Sequence, residues 1–268
     1  MKNLITVLIA LIVTASSVAT VQAAGVAGVV DKANYNMRDM TSLQNGAKLF
    51  VNYCLSCHSA EYSRYNRVAE DLGIPEALLK ENLMFTTEKV GDLMKTTMPA
   101  EDAKEWFGIT PPDLTLVSRV RKPDWVYTYL RAFYQDDNSP SGWNNSLFEN
   151  VAMPHSMYEL QGVQRLVGKI DPDHSASSID AHAAEGDVNS ENGSLKVVGD
   201  AQFELVHAGK MTPEEFDSAM LDLTAFLVYL AEPAQLKRHR IGVFTLAFMI
   251  ILMGLCYLLK KEYWRDVH

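Results

Sequence analysis

The stretch NYCLSCHSAEY, residues 52–62, holds Cys54 and Cys57 two residues apart, and His58 follows directly. Three kinds of site use a thiol pair at this spacing: a redox dithiol, one half of a zinc site, and the attachment point of a covalent haem. The third cysteine, Cys256, lies within a long apolar run and is predicted to be a small hydrophobic residue there. The rest of the chain decides between these chemistries.

The surroundings of the cysteine pair argue against the first two. A thioredoxin-like dithiol needs a βαβ setting, but these cysteines follow a helical pattern of Leu43, Gly46, Ala47 and Phe50. A structural zinc site needs four ligands, and no second cysteine pair precedes the apolar run. Cys54, Cys57, His58 and one other histidine remain as a zinc alternative.

The third chemistry accounts for all three residues of the motif. C-x-x-C-H is the signature of c-type haem attachment, in which both thiols add to the vinyl groups of the haem. The turn between the thiols brings both sulfurs to one edge of the ring, so that His58 becomes the proximal iron ligand. We therefore predict one covalent haem c bound through Cys54, Cys57 and His58.

The N-terminus predicts export, which is where this attachment takes place. Met1-Lys2-Asn3 is a basic start, Leu4 to Val13 is apolar, and small residues follow in VATVQAAGVAG. The apolar run is too short to span a bilayer of roughly 30 Å, so residues 1–23 are predicted to be a cleavable signal peptide.

The C-terminal region predicts a membrane anchor. Ile241 to Leu259 contains no charged residue, and its length suits a hydrocarbon core of roughly 30 Å. Basic residues flank both sides, so the predicted signal peptide decides the orientation. We expect a periplasmic cytochrome c domain at 24–236, a transmembrane anchor at 237–260 and a cytoplasmic tail at 261–268, in the inner membrane.

Charge and periodicity limit the partners and the fold class. The formal charge of the 268 residues is −9, which argues against nucleic acid and suits a basic partner.

Helices are predicted near Thr41, after Pro75 with Leu78, Leu79 and Leu83 inward, from Pro123, and after a capping box of Thr212 and Glu215. Residues 96–114 are predicted to be loops, and 171–200 a solvated insertion that can include a short hairpin. The fold is therefore mainly α.

The sixth iron ligand is open at this level. A methionine ligand gives an electron carrier, whereas an open position gives a ligand-binding haem. Met98 and Met153 both precede a proline, and His155 and Met157 are further candidates. Proximity to His58 slightly favours Met98.

Several segments of the chain resemble one family, cytochrome c1 of the quinol–cytochrome c reductase (bc1) complex, in its bacterial form. These are GAKLFVNYCLSCHSAEYSRYNRVAEDLGI, TPPDL, NVAMPHSMYEL, LVYLAEP and YLLKKEYWRDVH. The resemblance implies a cytochrome c-type haem domain with loop insertions plus one C-terminal transmembrane helix. It selects Met153 as the distal ligand, places Pro111 beside the haem, and assigns a haem propionate to Arg121, with Arg119 as competitor. Gly46 and Phe50 would cross the last helix, where Tyr229 supplies an aromatic ring.

The resemblance also implies a role. The haem would accept electrons from the Rieske 2Fe–2S subunit and pass them to a cytochrome c acceptor, beside a cytochrome b subunit in a dimeric complex. No catalytic site of the chain's own is expected. The alternatives are a freestanding anchored cytochrome c that feeds an oxidase, and a haem enzyme or sensor with an open sixth position.

Overall fold

The structure, a computed structural model, describes residues 29–169 and 195–265. The predicted signal peptide and most of the predicted insertion lie outside the described residues. The helices are α1 (Met40–Leu49), a π-helix (Phe50–Cys54), α2 (Tyr65–Leu72), α3 (Glu76–Asn82), α4 (Ala100–Phe107), α5 (Val117–Arg121), α6 (Pro123–Arg131), α7 (Tyr158–Gln161), α8 (Pro213–Ala231) and α9 (Gln235–Tyr263). The strands are β1 (Ala60–Arg64), β2 (Leu93–Met94), β3 (Phe133–Gln135), β4 (Trp143–Asn145), β5 (Gly162–Lys169), β6 (Leu195–Val198) and β7 (Ala201–Ala208). The mainly α prediction is confirmed.

A close crossing of α1 and α8 forms the centre of the fold. A Cβ atom at Gly46 would lie 2.2 Å from the carbonyl oxygen of Asp222 and 2.7 Å from the Cβ of Phe226. The Phe50 and Phe226 ring centroids are 5.6 Å apart. The ring that meets Phe50 is therefore that of Phe226, while Tyr229 packs on Phe226 one turn further along, at 5.9 Å.

Polar contacts fix the same crossing. Ser42 Oγ and Asn45 Nδ2 donate to the two carboxylate oxygens of Asp222, at 2.5 and 2.8 Å. Both donors lie on α1 and the acceptor on α8, so the hydrogen bonds set the rotation of one helix against the other.

The first helix changes its hydrogen-bond pattern just before the cysteine motif. The amide of Leu55 donates to the carbonyl of Phe50 at 2.9 Å, which closes the wide turn of a π-helix. The amides of Cys57 and His58 then both donate to the carbonyl of Cys54, at 3.1 and 2.7 Å. The motif is thus a tight turn continuous with α1.

Two expectations about local structure were wrong. The segment TTMPAEDAKEWFG contains α4, which begins after Pro99 and ends at Gly108 in the left-handed region, with φ of 76°. Glu101 and Asp102 in its first turn complement the helix dipole. Leu78 is 51% exposed, because α3 contacts the core along one side only, through residues such as Leu79.

The sheets form a second, smaller packing unit. β5, β7 and β6 make an antiparallel sheet in that order, and β3 pairs with β4. Val198, at the end of the predicted insertion, is buried with Ala132, Ala201 and Phe203. Strand β6 begins a local hairpin with β7, of the kind that the expected insertion could include, and apart from Val198 its residues are exposed or half-buried.

The last two helices continue the body of the protein into a long apolar segment. The capping box at the start of α8 is confirmed: Glu215 N donates to Thr212 Oγ1 at 3.3 Å, and Thr212 N to Glu215 Oε2 at 2.9 Å. Helix α9 includes Ile241–Tyr263, which is long and apolar enough to cross a membrane. Asp71 contacts both helices, because it accepts a hydrogen bond from Tyr229 Oη at 3.0 Å and lies 3.9 Å from Lys237 Nζ.

We expect Gly46→Ala to lower the thermal midpoint of the haem-loaded protein strongly. The new methyl group would overlap the backbone of Asp222, and overpacking of this kind costs about 1–3 kcal/mol or more. Gly91→Ala is the matched control, because a Cβ there meets nothing within 4 Å. Equal midpoints for the two variants, measured by circular dichroism, would contradict the close crossing.

Candidate haem-binding site

His58 is held in the form that can bind a metal. Its ring is buried, and Nδ1 lies 2.8 Å from the carbonyl oxygen of Pro112. A carbonyl oxygen only accepts, so Nδ1 carries the hydrogen and Nε2 keeps a free lone pair. Burial lowers the pKa of His58, against smaller opposing effects of the Pro112 hydrogen bond and the Asp113 charge, which favours the neutral imidazole that metals bind.

One cleft brings most of the predicted site residues together. Its cavity volume is about 90 Å³. Its lining comes from the cysteine motif, the end of α4, the two-proline loop and the loop before α7: Tyr53, Cys57, His58, Phe107, Ile109, Pro111, Pro112, Ala152, Met153, Pro154 and Ser156. Three segments far apart in the sequence, 53–58, 107–112 and 152–156, therefore meet at one apolar cleft.

The two cysteines differ in their surroundings. Cys57 is partly exposed in the cleft, whereas Cys54 is buried against the core formed by α1 and α8. Burial, with a smaller effect of Cys57, raises the pKa of Cys54 to about 12. Both thiols are free in this structure, and no disulfide joins them.

Of the candidate sixth ligands, Met153 is the one that lines the cleft with His58. Met157 is 1% exposed in the main core and His155 is 2% exposed. Met98 is partly buried in a loop that Thr96 ties to the cysteine motif, through a 2.7 Å hydrogen bond from its Oγ1 to the carbonyl oxygen of Ser56. Proximity in sequence to His58 thus does not bring Met98 into the cleft lining.

A column of aromatic rings lies behind Met153. Trp125 stacks on Tyr129 at 4.8 Å and 14°, and Tyr129 meets Phe133 edge-on at 5.1 Å. Phe133 stacks on His155 at 5.0 Å and 4°. The four-residue spacing of the first three rings is visible in the sequence, but sequence reasoning missed them as site residues.

Tyr129 connects this column to the methionine sulfur. Its hydroxyl donates to Met153 Sδ at 3.5 Å. Burial raises the pKa of Tyr129, against a smaller opposing effect of the Arg121 charge. The hydroxyl therefore keeps its proton at neutral pH.

His155 is buried as a neutral ring. Burial lowers its pKa to about 4. Its edge faces Trp143 at 5.1 Å, and neither ring nitrogen has a hydrogen-bond partner among the residues that the structure describes. Its stacking contacts attach the loop that carries Met153 to the aromatic column.

Arg119 and Arg121 lie two residues apart on α5, about half a turn of helix, and have different partners. The Arg121 guanidinium lies 5.0 Å from the Trp125 ring centroid and has no carboxylate partner within 29–169 and 195–265. Arg119 pairs with Glu232 at 2.9 Å. Arg121 itself is not part of the cleft lining.

An unpaired donor next to Arg121 gives a test of whether these residues fit a haem. Trp125 is 8% exposed, and its Nε1 hydrogen is buried without an acceptor in the described parts of the chain. A haem carries propionate groups that accept hydrogen bonds, and an arginine beside an unsatisfied indole N–H suits such an anion. The donor set of thiols, imidazole, thioether and propionate partners therefore fits a covalent haem.

These features are those of a c-type cytochrome. The Cytochrome C1 family model matches residues 31–267, and the chain belongs to the cytochrome c1 family. Membership implies a covalently bound haem c and a role in electron transfer. It is also consistent with a membrane-anchored protein, given the apolar part of α9.

Individual relatives are similar over most of the chain. A cytochrome c1 of Allochromatium vinosum is 48% identical over 89% of this chain and 90% of its own length. A protein of Nitrosomonas europaea named ammonia monooxygenase gamma subunit is 43% identical over 89% of each chain. The cytochrome b/c1 of Bradyrhizobium diazoefficiens is 25% identical over 86% of this chain and 34% of its own.

Proposed function

We propose that this chain is the haem c subunit of a cytochrome bc1 complex, passing electrons from a Rieske iron–sulfur protein to a cytochrome c. The observation that carries the proposal is the single cleft lined by Cys57, His58 and Met153, in a chain of the cytochrome c1 family. The bound haem supplies a one-electron ferric/ferrous couple: the reduced 2Fe–2S cluster loses one electron and the cytochrome c acceptor gains one.

The residues of the cleft have separate tasks in this proposal. Cys54 and Cys57 hold a single haem through thioether bonds, and His58 and Met153 bind its iron. The hydrogen bond from His58 to the Pro112 carbonyl orients the imidazole. Pro111 lines the cleft as an apolar wall. Because His58 and Met153 would stay bound to the iron in both the ferric and the ferrous state, the site would rearrange little when an electron is transferred.

Arg121 and Trp125 serve as the propionate partners. Among the described residues the Arg121 guanidinium has no carboxylate partner and the indole N–H of the neighbouring ring has no acceptor, and both observations support this assignment. Arg119 is the weaker candidate, because its charge is already paired with Glu232.

The charge of the chain, its apolar C-terminal helix and its relatives support membership of a membrane complex. The Bradyrhizobium relative carries both cytochrome b and cytochrome c1 in its name, so we place this chain beside a cytochrome b subunit in a dimeric complex. Residues 24–236 would lie in the periplasm, 237–260 in the inner membrane and 261–268 in the cytoplasm. The charge of −9 suits a basic acceptor.

A second candidate follows from the Nitrosomonas relative, which is named as a subunit of an ammonia monooxygenase. The chain would then be an electron-transfer subunit of a membrane-bound oxygenase. The haem site would be the same, and only the partners would differ.

Met153→Leu is expected to remove the weak far-red absorption band that arises from sulfur-to-iron charge transfer. Leucine fills the same space but offers no lone pair. Met98→Leu is the matched control and should keep the band. A band that survives in Met153→Leu would refute the ligand assignment.

Arg121→Gln is expected to lower the haem reduction potential more than Arg119→Gln. A nearby cation disfavours the extra positive charge of ferric haem, and the charge of Arg119 is offset in part by Glu232, which also pairs with Arg238. We expect a two- to tenfold loss in the reduction equilibrium constant for Arg121→Gln, where tenfold is about 59 mV for one electron. Equal shifts in redox titrations of the two variants would contradict the propionate assignment.

Mild detergent extraction should yield the chain together with haem b and a 2Fe–2S protein. The purified complex should reduce cytochrome c at the expense of quinol, and more slowly as ionic strength rises. Recovery of the chain alone would indicate the freestanding cytochrome. Recovery with an ammonia-oxidising activity would indicate the monooxygenase subunit.

A further inference from the structure

We propose that Tyr129 is a positioning residue for Met153, donating a hydrogen bond to the thioether sulfur and thereby raising the reduction potential of the haem. This inference rests on the proposed role of Met153 as an iron ligand. It assigns a function to a hydroxyl group that the cysteine motif and the propionate partners do not involve.

The contact is specific on both sides. Tyr129 Oη lies 3.5 Å from Met153 Sδ, a distance suited to the large, polarisable sulfur atom. The hydroxyl has no other hydrogen-bond partner among the residues that the structure describes. A thioether sulfur has two lone pairs, so it can bind iron with one and accept the tyrosine hydrogen with the other.

The surroundings hold the hydroxyl in place. The Tyr129 ring lies between the stacked ring of Trp125 and the edge-on ring of Phe133. The Tyr129 carbonyl accepts a hydrogen bond at 2.9 Å from Nδ2 of the fully buried Asn145. Ring and backbone are thus both fixed, and the phenol can turn little away from the sulfur.

The aromatic column also fixes the other partner of the hydrogen bond. Phe133 follows Tyr129 by four residues and stacks on His155, which lies two residues beyond Met153. Donor and acceptor are therefore attached to the same set of packed rings, and their distance does not depend on a remote part of the fold.

A hydrogen bond to the sulfur changes the two oxidation states unequally. The donor withdraws electron density from the sulfur, which then gives less to the iron. Ferric iron needs that density more than ferrous iron does, so the ferric state is destabilised and the potential rises.

The test is Tyr129→Phe in the full-length, haem-loaded protein, with Tyr127→Phe as matched control. Tyr127 is on the same helix and partly buried, but its hydroxyl has no hydrogen bond to any described residue. We expect Tyr129→Phe to keep the far-red band at a shifted wavelength. Its reduction equilibrium constant should fall three- to tenfold, where tenfold is about 59 mV for one electron. Tyr127→Phe should match the unaltered protein in both measurements.

A graded variant separates the hydrogen bond from ring packing. Incorporation of 3-fluorotyrosine at position 129 keeps the ring and makes the hydroxyl a stronger donor, so the potential should rise above that of the unaltered protein. A potential and band unchanged in both Tyr129 variants would overturn the inference.

The Tyr129 hydrogen bond and the Met153 ligand assignment are tested separately. If Met153→Leu loses the far-red band while Tyr129→Phe has no effect, the hydrogen-bond inference fails and the ligand assignment stands. If Met153→Leu keeps the band, the ligand assignment fails and this inference fails with it. In a Met153→Leu background, Tyr129→Phe should have no further effect on the potential.

Discussion

The rest of the structure depends on the absence of a side chain at Gly46. At this position α1 approaches the backbone of α8 so closely that a Cβ would meet a carbonyl oxygen at 2.2 Å. The π-helix and the cysteine motif continue directly from α1, so the crossing determines where His58 lies. The loops that carry Pro111, Pro112 and Met153 complete the cleft around His58.

Local signals allowed much of the helical framework to be predicted. The capping box at Thr212 and the proline at the start of α6 act within one turn, so a single sequence suffices to locate them. Helix α4 carried similar signals in Pro99 and Gly108 but was predicted to be a loop. The pairing of β5 with β7 could not be predicted because the two strands lie far apart in the chain, whereas β6 and β7 form a local hairpin.

The site residues likewise fall into those that the local sequence predicts and those that depend on tertiary contacts. The motif at Cys54 to His58 is local and was readable, whereas the choice between Met98 and Met153 depends on how distant loops fold. The difference between Arg119 and Arg121 depends on Glu232, more than a hundred residues later. The role of Tyr129 could be inferred only from its tertiary contact with Met153, although its helical spacing from Trp125 and Phe133 is visible in the sequence.

The burial of Cys54 has a consequence for the order of events in biogenesis. With 6% of its surface exposed, this thiol is buried once the core has closed, and burial raises its pKa, which disfavours the reactive thiolate. We therefore expect covalent attachment to come before the core closes, on an open chain whose thiols are accessible. The polypeptide would then close around a cofactor that it already carries.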